Sequence, residues 1–201
     1  PLRRITLDVE DYAAQMQDIA DAIAWLCSHA GEYGGDPKRV YVVGHSAGAH
    51  LAALVATDHR YLRAAGVDPT VLRGAIILDG GGLDIAREIT ELGPLLNRGL
   101  YKNIFGDDPE HWRAASPIAY IKADAPIPPF LLMPIASRDE TRAQAQGMAE
   151  ALQAAGHEAT VHVAEGKTHR TLNVELGTPG DATTNAVREF LRRCEKPPGV
   201  Q

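Results

Sequence analysis

The 201-residue sequence predicts an α/β protein built on a parallel sheet flanked by helices, and three observations carry that prediction. Short runs of apolar, mostly branched residues recur along the chain, long enough for strands buried on both faces and too short for helices. Longer segments between them repeat their apolar residues at helical spacing. Gly, Pro and Asp turn signals separate the two kinds, and strands alternating with helices imply a parallel sheet covered on both faces.

Tyr12, Met16, Ile19, Ala20, Ile23, Leu26 and Cys27 share one helical face, so a helix is expected from about Val9 to Ala30. Gly31 and "GGDP" end it. "VYVV" at 40–43 is the first strand, followed by an alanine-rich helix from Ala47 to Thr57 that can approach a sheet closely. "LRGAIIL" at 72–78, "PFLLMPIA" at 129–136 and "EATVHVA" at 158–164 read as the remaining strands. A helix from about Thr141 to Ala155 closes at Gly156. The last helix, near Thr183 to Cys194, aligns Ala186, Val187, Phe190, Leu191 and Cys194, with Asp181 or Thr183 as its N-cap.

Residues 83–128 interrupt the rhythm with Gly, Pro, charge and scattered apolar side chains: Leu92, Leu95, Leu96, Leu100, Tyr101 and Phe105. They read as a cap-like or loop excursion within a single domain spanning 1–201. Such an insertion either caps a site or merely crosses the surface.

The net charge of −6 argues against a nucleic-acid partner, whose phosphates require clustered Lys and Arg. No apolar run approaches the length of a membrane span, and "PLRRITLDVEDY" lacks the apolar core of a signal peptide, so a soluble, cytoplasmic chain is expected. Two cysteines, Cys27 and Cys194, are too few for a disulfide framework and read as buried apolar thiols.

Chemistry concentrates in "GHSAG", residues 44–48, which fits G-x-S-x-G directly after a strand and at the start of a helix. Gly44 and Gly48 suit a sharp turn with close strand–helix approach, leaving Ser46 at the carboxyl edge of the sheet. The Ala47 N–H, at the helix start, is a candidate oxyanion donor. The alternative is a Gly-rich turn holding a passive serine. A serine nucleophile needs a base, itself held by a carboxylate, in the chain order Ser, Asp or Glu, His. Asp139 after the third strand and His169 after the fourth supply that order, with Asp79 and Asp84 after the second strand as rivals for the acid. His45 and His50 read as packing or hydrogen-bonding residues, and His162 lies within a strand. The remaining histidines, His29, His59, His111 and His157, sit in helix ends or loops, and no pair shows convincing metal-ligand spacing with a third ligand.

"EYGGDPKRVYVVGHSAGAHLAAL", "FGDDPEHWRAASPIAYI", "PFLLMPIASRDE" and "AAGHEATVHVAEGKTHRTLN" resemble successive landmarks of the α/β-hydrolase superfamily. The likeness is to its esterase/lipase branch, which includes hormone-sensitive-lipase-like carboxylesterases, arylformamidases and acetylxylan or feruloyl esterases. It implies Ser46 as nucleophile, His169 as base and Asp139 as acid, acting on a small ester without a cofactor. An arylformamidase or other amidase would use the same three residues. A non-catalytic hydrolase-like subunit is the alternative from another class.

The same resemblance exposes a departure. The family's upstream strands and "HGGG"-like oxyanion loop have no counterpart before Ser46, and "DGGG" at 79–82 stands in the wrong place to replace that loop. Losing one oxyanion donor costs about 2.7 to 4 kcal/mol of transition-state stabilisation. In the family's order the missing strands would lie beside "VYVV", leaving an apolar sheet edge. The expectation is therefore the C-terminal portion of a hydrolase, with a second polypeptide or a second copy covering residues 40–43. In that layout the first and last helices lie on opposite sheet faces, so Cys27 and Cys194 should not bond.

Overall fold

The structure, a computed structural model, describes residues 11–92 and 101–195. The expected helix start at Val9 and the excursion residues Leu95, Leu96 and Leu100 lie outside the described residues, as does the side chain of Leu92. In chain order the elements are α1 Asp11–His29, β1 Val40–His45, α2 Ala47–Thr57, α3 Arg60–Ala64, β2 Leu72–Leu78 and α4 Ile85–Arg87. They continue as α5 Pro109–Ala114, β3 Phe130–Met133, α6 Asp139–Ala154, β4 Ala159–Val161, α7 His169–Val174 and α8 Ala182–Glu195.

Among the described residues, four strands pair in parallel in the order β1-β2-β3-β4. Strand side chains alternate between faces, and two cores follow from that alternation. On one face, Ala75, Ile77, Phe130 and Leu132 pack against Met16, Ala20 and Ile23 of α1, the alanines of α2, and Met148 and Leu152 of α6. On the other, Ile76, Leu78, Leu131 and Met133 pack against Leu172 of α7 and Phe190 of α8. Gly74 lets α8 approach, since a Cβ there would come within 2.8 Å of the Phe190 ring. Asp181 caps α8 by accepting the Thr184 N–H at 2.8 Å.

Several expectations need correction. The third and fourth strands are shorter than their apolar runs because Pro134 has no N–H to continue the ladder, which resumes only as a single bridge between Ile135 and Ala164. β1 is not buried on both faces. Among the described residues it is a sheet edge, as the family's strand order implied; Val43 is 52% exposed, and an apolar groove of about 470 Å³ runs beside it, lined in part by Ile19, Ile23, Leu26 and Leu51. Cys194 is buried, which pushes its thiol up to about 11, whereas Cys27 is only partly buried. Both thiols are free and pack against opposite faces of the sheet. Among the described residues, no helix is long and apolar enough to cross a membrane.

Candidate active site

Parallel strands deliver their following loops to one sheet edge. Ser46 follows β1 there, with φ 59° and ψ −123°, a conformation that costs a non-glycine residue about 1–3 kcal/mol. Its N–H donates to the Leu78 carbonyl at 3.1 Å, and its carbonyl accepts the Ala49 N–H at 3.0 Å. Gly44 permits this turn because a Cβ there would overlap the Gly48 carbonyl and lie 2.8 Å from the Ala49 Cα. Gly48 differs, since a Cβ on it would meet nothing within 4 Å. Its backbone, rather than its missing side chain, makes the close approach. Ala47 opens α2, so its N–H is one of the first four donors that a helix leaves without an intrahelical partner.

Asp79 directly follows β2, in the strand register beside Ser46, and also has positive φ, 44°. Its N–H donates to Met133 O at 3.0 Å, fixing the turn. The carboxylate is fully buried and surrounded by donors. Oδ1 accepts Thr141 Oγ1–H at 2.7 Å and the Ile135 N–H at 3.3 Å, while Oδ2 accepts from His169 Nδ1 at 2.6 Å and Arg138 at 2.9 Å. Burial alone pushes this carboxyl up. The hydrogen bonds from His169, Thr141 and Ile135 and the Arg138 charge outweigh it, so the group lies below its ordinary value and is ionised at neutral pH.

The Arg138 guanidinium also lies 3.3 Å from His169 Nδ1. Arginine has no acceptor, and a 2.6 Å contact to an ionised carboxylate requires a proton on Nδ1. Arg138 and His169 therefore share Oδ2 as two donors, and Nε2 of a neutral His169 is left unprotonated.

This arrangement replaces the expected one. Asp139 does not reach His169: its side chain is 89% exposed and pairs with Arg142 at 3.1 Å along α6. The chain leaves β3 through Pro134, and α6 begins at Asp139 itself. Its first residue faces solvent, while the preceding Arg138 and following Thr141 face the sheet end. Asp84, the other rival, caps α4 by accepting the Arg87 N–H at 3.1 Å. The sequence signal for Asp79 was an acid immediately following the apolar run GAIIL, which places it at the same sheet edge as Ser46.

The surroundings tie the site to the 83–128 excursion. His50 of α2 is buried and bonds Ala115 O at 2.7 Å, burial holding its imidazole below the ordinary value. Phe105 packs edge-on against His50, their ring centroids 5.6 Å apart. Gln144 of α6 accepts the Asp84 N–H at 2.8 Å and donates to the buried Glu88 at 3.0 Å. Tyr101 places its hydroxyl where a Cβ on Gly81 would stand, two residues beyond Asp79. His45 is partly buried and bonds the backbone carbonyl of His169 at 2.7 Å, so both histidines of the motif region act as hydrogen-bonding residues.

Comparison with known proteins agrees with this fold. The alpha/beta hydrolase fold family matches residues 10–173. Esterase LipQ of Mycobacterium tuberculosis is 32% identical over 193 residues, covering 90% of this chain and 44% of that protein. A probable isoprenylcysteine alpha-carbonyl methylesterase of Arabidopsis thaliana is 31% identical over 172 residues, covering 78% and 35% respectively. The chain thus spans less than half the length of these curated relatives. Among solved structures, the thermophilic esterase Est2 of Thermogutta terrifontis superposes with a TM-score of 0.65 at 27% identity, covering 92% of this chain and 66% of that one. By fold, sheet-edge geometry and family match together, the chain belongs to the α/β-hydrolase family.

Proposed function

We propose that this protein is a serine hydrolase that cleaves small carboxylic esters through an acyl-enzyme, with Ser46 as nucleophile, His169 as base and Asp79, not Asp139, as the acid. The observation that carries the reading is the 2.6 Å contact between His169 Nδ1 and the fully buried Asp79 carboxylate, at the sheet edge that also bears the strained Ser46. The carboxylate keeps the proton on Nδ1 and leaves Nε2 to take the Ser46 proton as the hydroxyl oxygen attacks the ester carbonyl. The tetrahedral oxyanion draws on the Ala47 N–H. Collapse expels the alcohol, which receives the proton back from His169. Water, deprotonated by the same nitrogen, then attacks the acyl-enzyme, and the acid leaves with Ser46 restored. No cofactor enters these steps.

The names of the relatives support an ester as substrate, and one esterase 2 of Thermogutta terrifontis, 26% identical, is described as phosphonylated by sarin. That fits a nucleophile open to organophosphorus reagents. Tyr101, Phe105 and Ala115 of the 83–128 excursion, packed on α2 and beside Gly81, form one wall of the substrate site. Whatever second polypeptide, second copy or further part of the protein lies along the β1 groove completes the sheet there. Hydrolysis of a p-nitrophenyl ester series, run beside N-formylkynurenine, tests the substrate class. The proposal expects short-chain esters to be cleaved and Ser46→Ala to abolish the activity. Faster N-formylkynurenine turnover would move the assignment to an amidase, and unchanged activity in Ser46→Ala would overturn the mechanism.

A further inference from the structure

We infer that His45, the residue between Gly44 and the nucleophile, is a positioning residue that sets the separation of Ser46 from His169; the inference rests on the triad reading above. β1 and β4 occupy opposite edges of the sheet, yet α7, which follows β4 and begins at His169, reaches back across the sheet end to β1. Its side chain is anchored once, by Asp79 from β2. Its backbone is anchored by two further contacts. Thr168 and Thr171 form a reciprocal capping box that fixes the start of α7, with contacts of 3.1 and 2.8 Å. His45 Nε2 lies 2.7 Å from the His169 carbonyl oxygen, and the two rings meet at a centroid separation of 4.4 Å, tilted by 37°.

A carbonyl only accepts, so His45 must carry its proton on Nε2 to make this bond. The bond joins the residue directly before the nucleophile to the base itself, and each lies on a different element. Asp79 orients the imidazole about its own axis. The His45 bond instead fixes how far the base's backbone stands from the serine turn. Misplacement by about 1 Å in such a pair costs on the order of 100-fold in rate. The contacts of the His45 ring are with His169, so a role exerted through the position of the base falls on kcat rather than KM.

The test compares His45→Ala, His45→Gln and the unsubstituted protein in p-nitrophenyl acetate hydrolysis and in the rate of labelling by a fluorophosphonate probe. Gln places an amide N–H near the Nε2 position. The expected result is a loss of about 10- to 100-fold in kcat and in labelling rate for His45→Ala, with KM unchanged and most of the rate restored in His45→Gln. Labelling of His45→Ala at the unsubstituted rate would overturn the inference while leaving the triad intact. Equal losses in Ala and Gln variants would also overturn it, since a role in packing alone does not distinguish a retained donor. Absence of labelling in the unsubstituted protein would instead strike the triad reading on which the inference stands.

Discussion

Replacing Asp79 by Asn separates the two carboxylates that compete for the acid's role. The substitution keeps shape and removes charge. His169⁺ formed during attack would lose a carboxylate now at 2.6 Å, while the Arg138 guanidinium, 3.3 Å from the same nitrogen, would remain with less to offset it. At 4 Å and an effective dielectric of about 20, one such charge interaction is worth about 4 kcal/mol. Loss of a triad carboxylate in a comparable setting lowers kcat about 10⁴-fold, roughly 5.4 kcal/mol, which is the size expected here. Asp139→Asn removes an exposed pair with Arg142, worth about 0.2–0.5 kcal/mol of helix stability, and should leave kcat within about twofold. Steady-state hydrolysis of p-nitrophenyl acetate by both variants, with thermal melts to confirm folding, decides the matter. A folded Asp79→Asn variant with near-normal kcat, or a large loss in Asp139→Asn, would refute the assignment.

Other consequences are testable by stability measurements. Gly44→Ala should destabilise at or above the roughly 1–3 kcal/mol typical of overpacking, because the clash is with backbone, whereas Gly48→Ala should be tolerated in urea melts of the same protein. Phe190→Ala should cost about 3–5 kcal/mol in a urea titration, since its ring fills the space above Gly74. The pH dependence has a definite sign. His50 is held below its ordinary value by burial, so the unfolded chain takes up a proton below about pH 6.5 that the folded state refuses, and stability should fall as pH drops from there. The depressed Asp79 carboxyl adds a further loss below about pH 4, where the unfolded carboxylate protonates first. Urea midpoints recorded from pH 8 to pH 4 should decline, and His50→Gln should flatten the upper part of the decline.

Where local pattern and tertiary environment agree, the sequence alone located the elements. The predicted bounds of α2 and β2, Ala47–Thr57 and Leu72–Leu78, coincide with the observed ones because each is a mostly apolar pattern between clear turns. α3 and α7 escaped notice, being five and six residues long and too short to display a helical period. Ser46 and His169, the proposed nucleophile and base, were singled out by motif and chain order. The carboxylate that contacts His169 was not, because which acid reaches it depends on where α6 starts. That start turns Asp139 to solvent and Arg138 and Thr141 to the sheet end, a difference of helix phase that residue type does not reveal. Asp79 was visible only as a rival, since an acid after a strand equally often caps a loop.

The most direct test of the account is the site of covalent capture. After incubation with a fluorophosphonate, intact mass and peptide mapping should find one adduct, on Ser46, that Ser46→Ala abolishes and Asp79→Asn slows by orders of magnitude. An adduct on another residue, or labelling of Ser46 at an undiminished rate in Asp79→Asn, would contradict it.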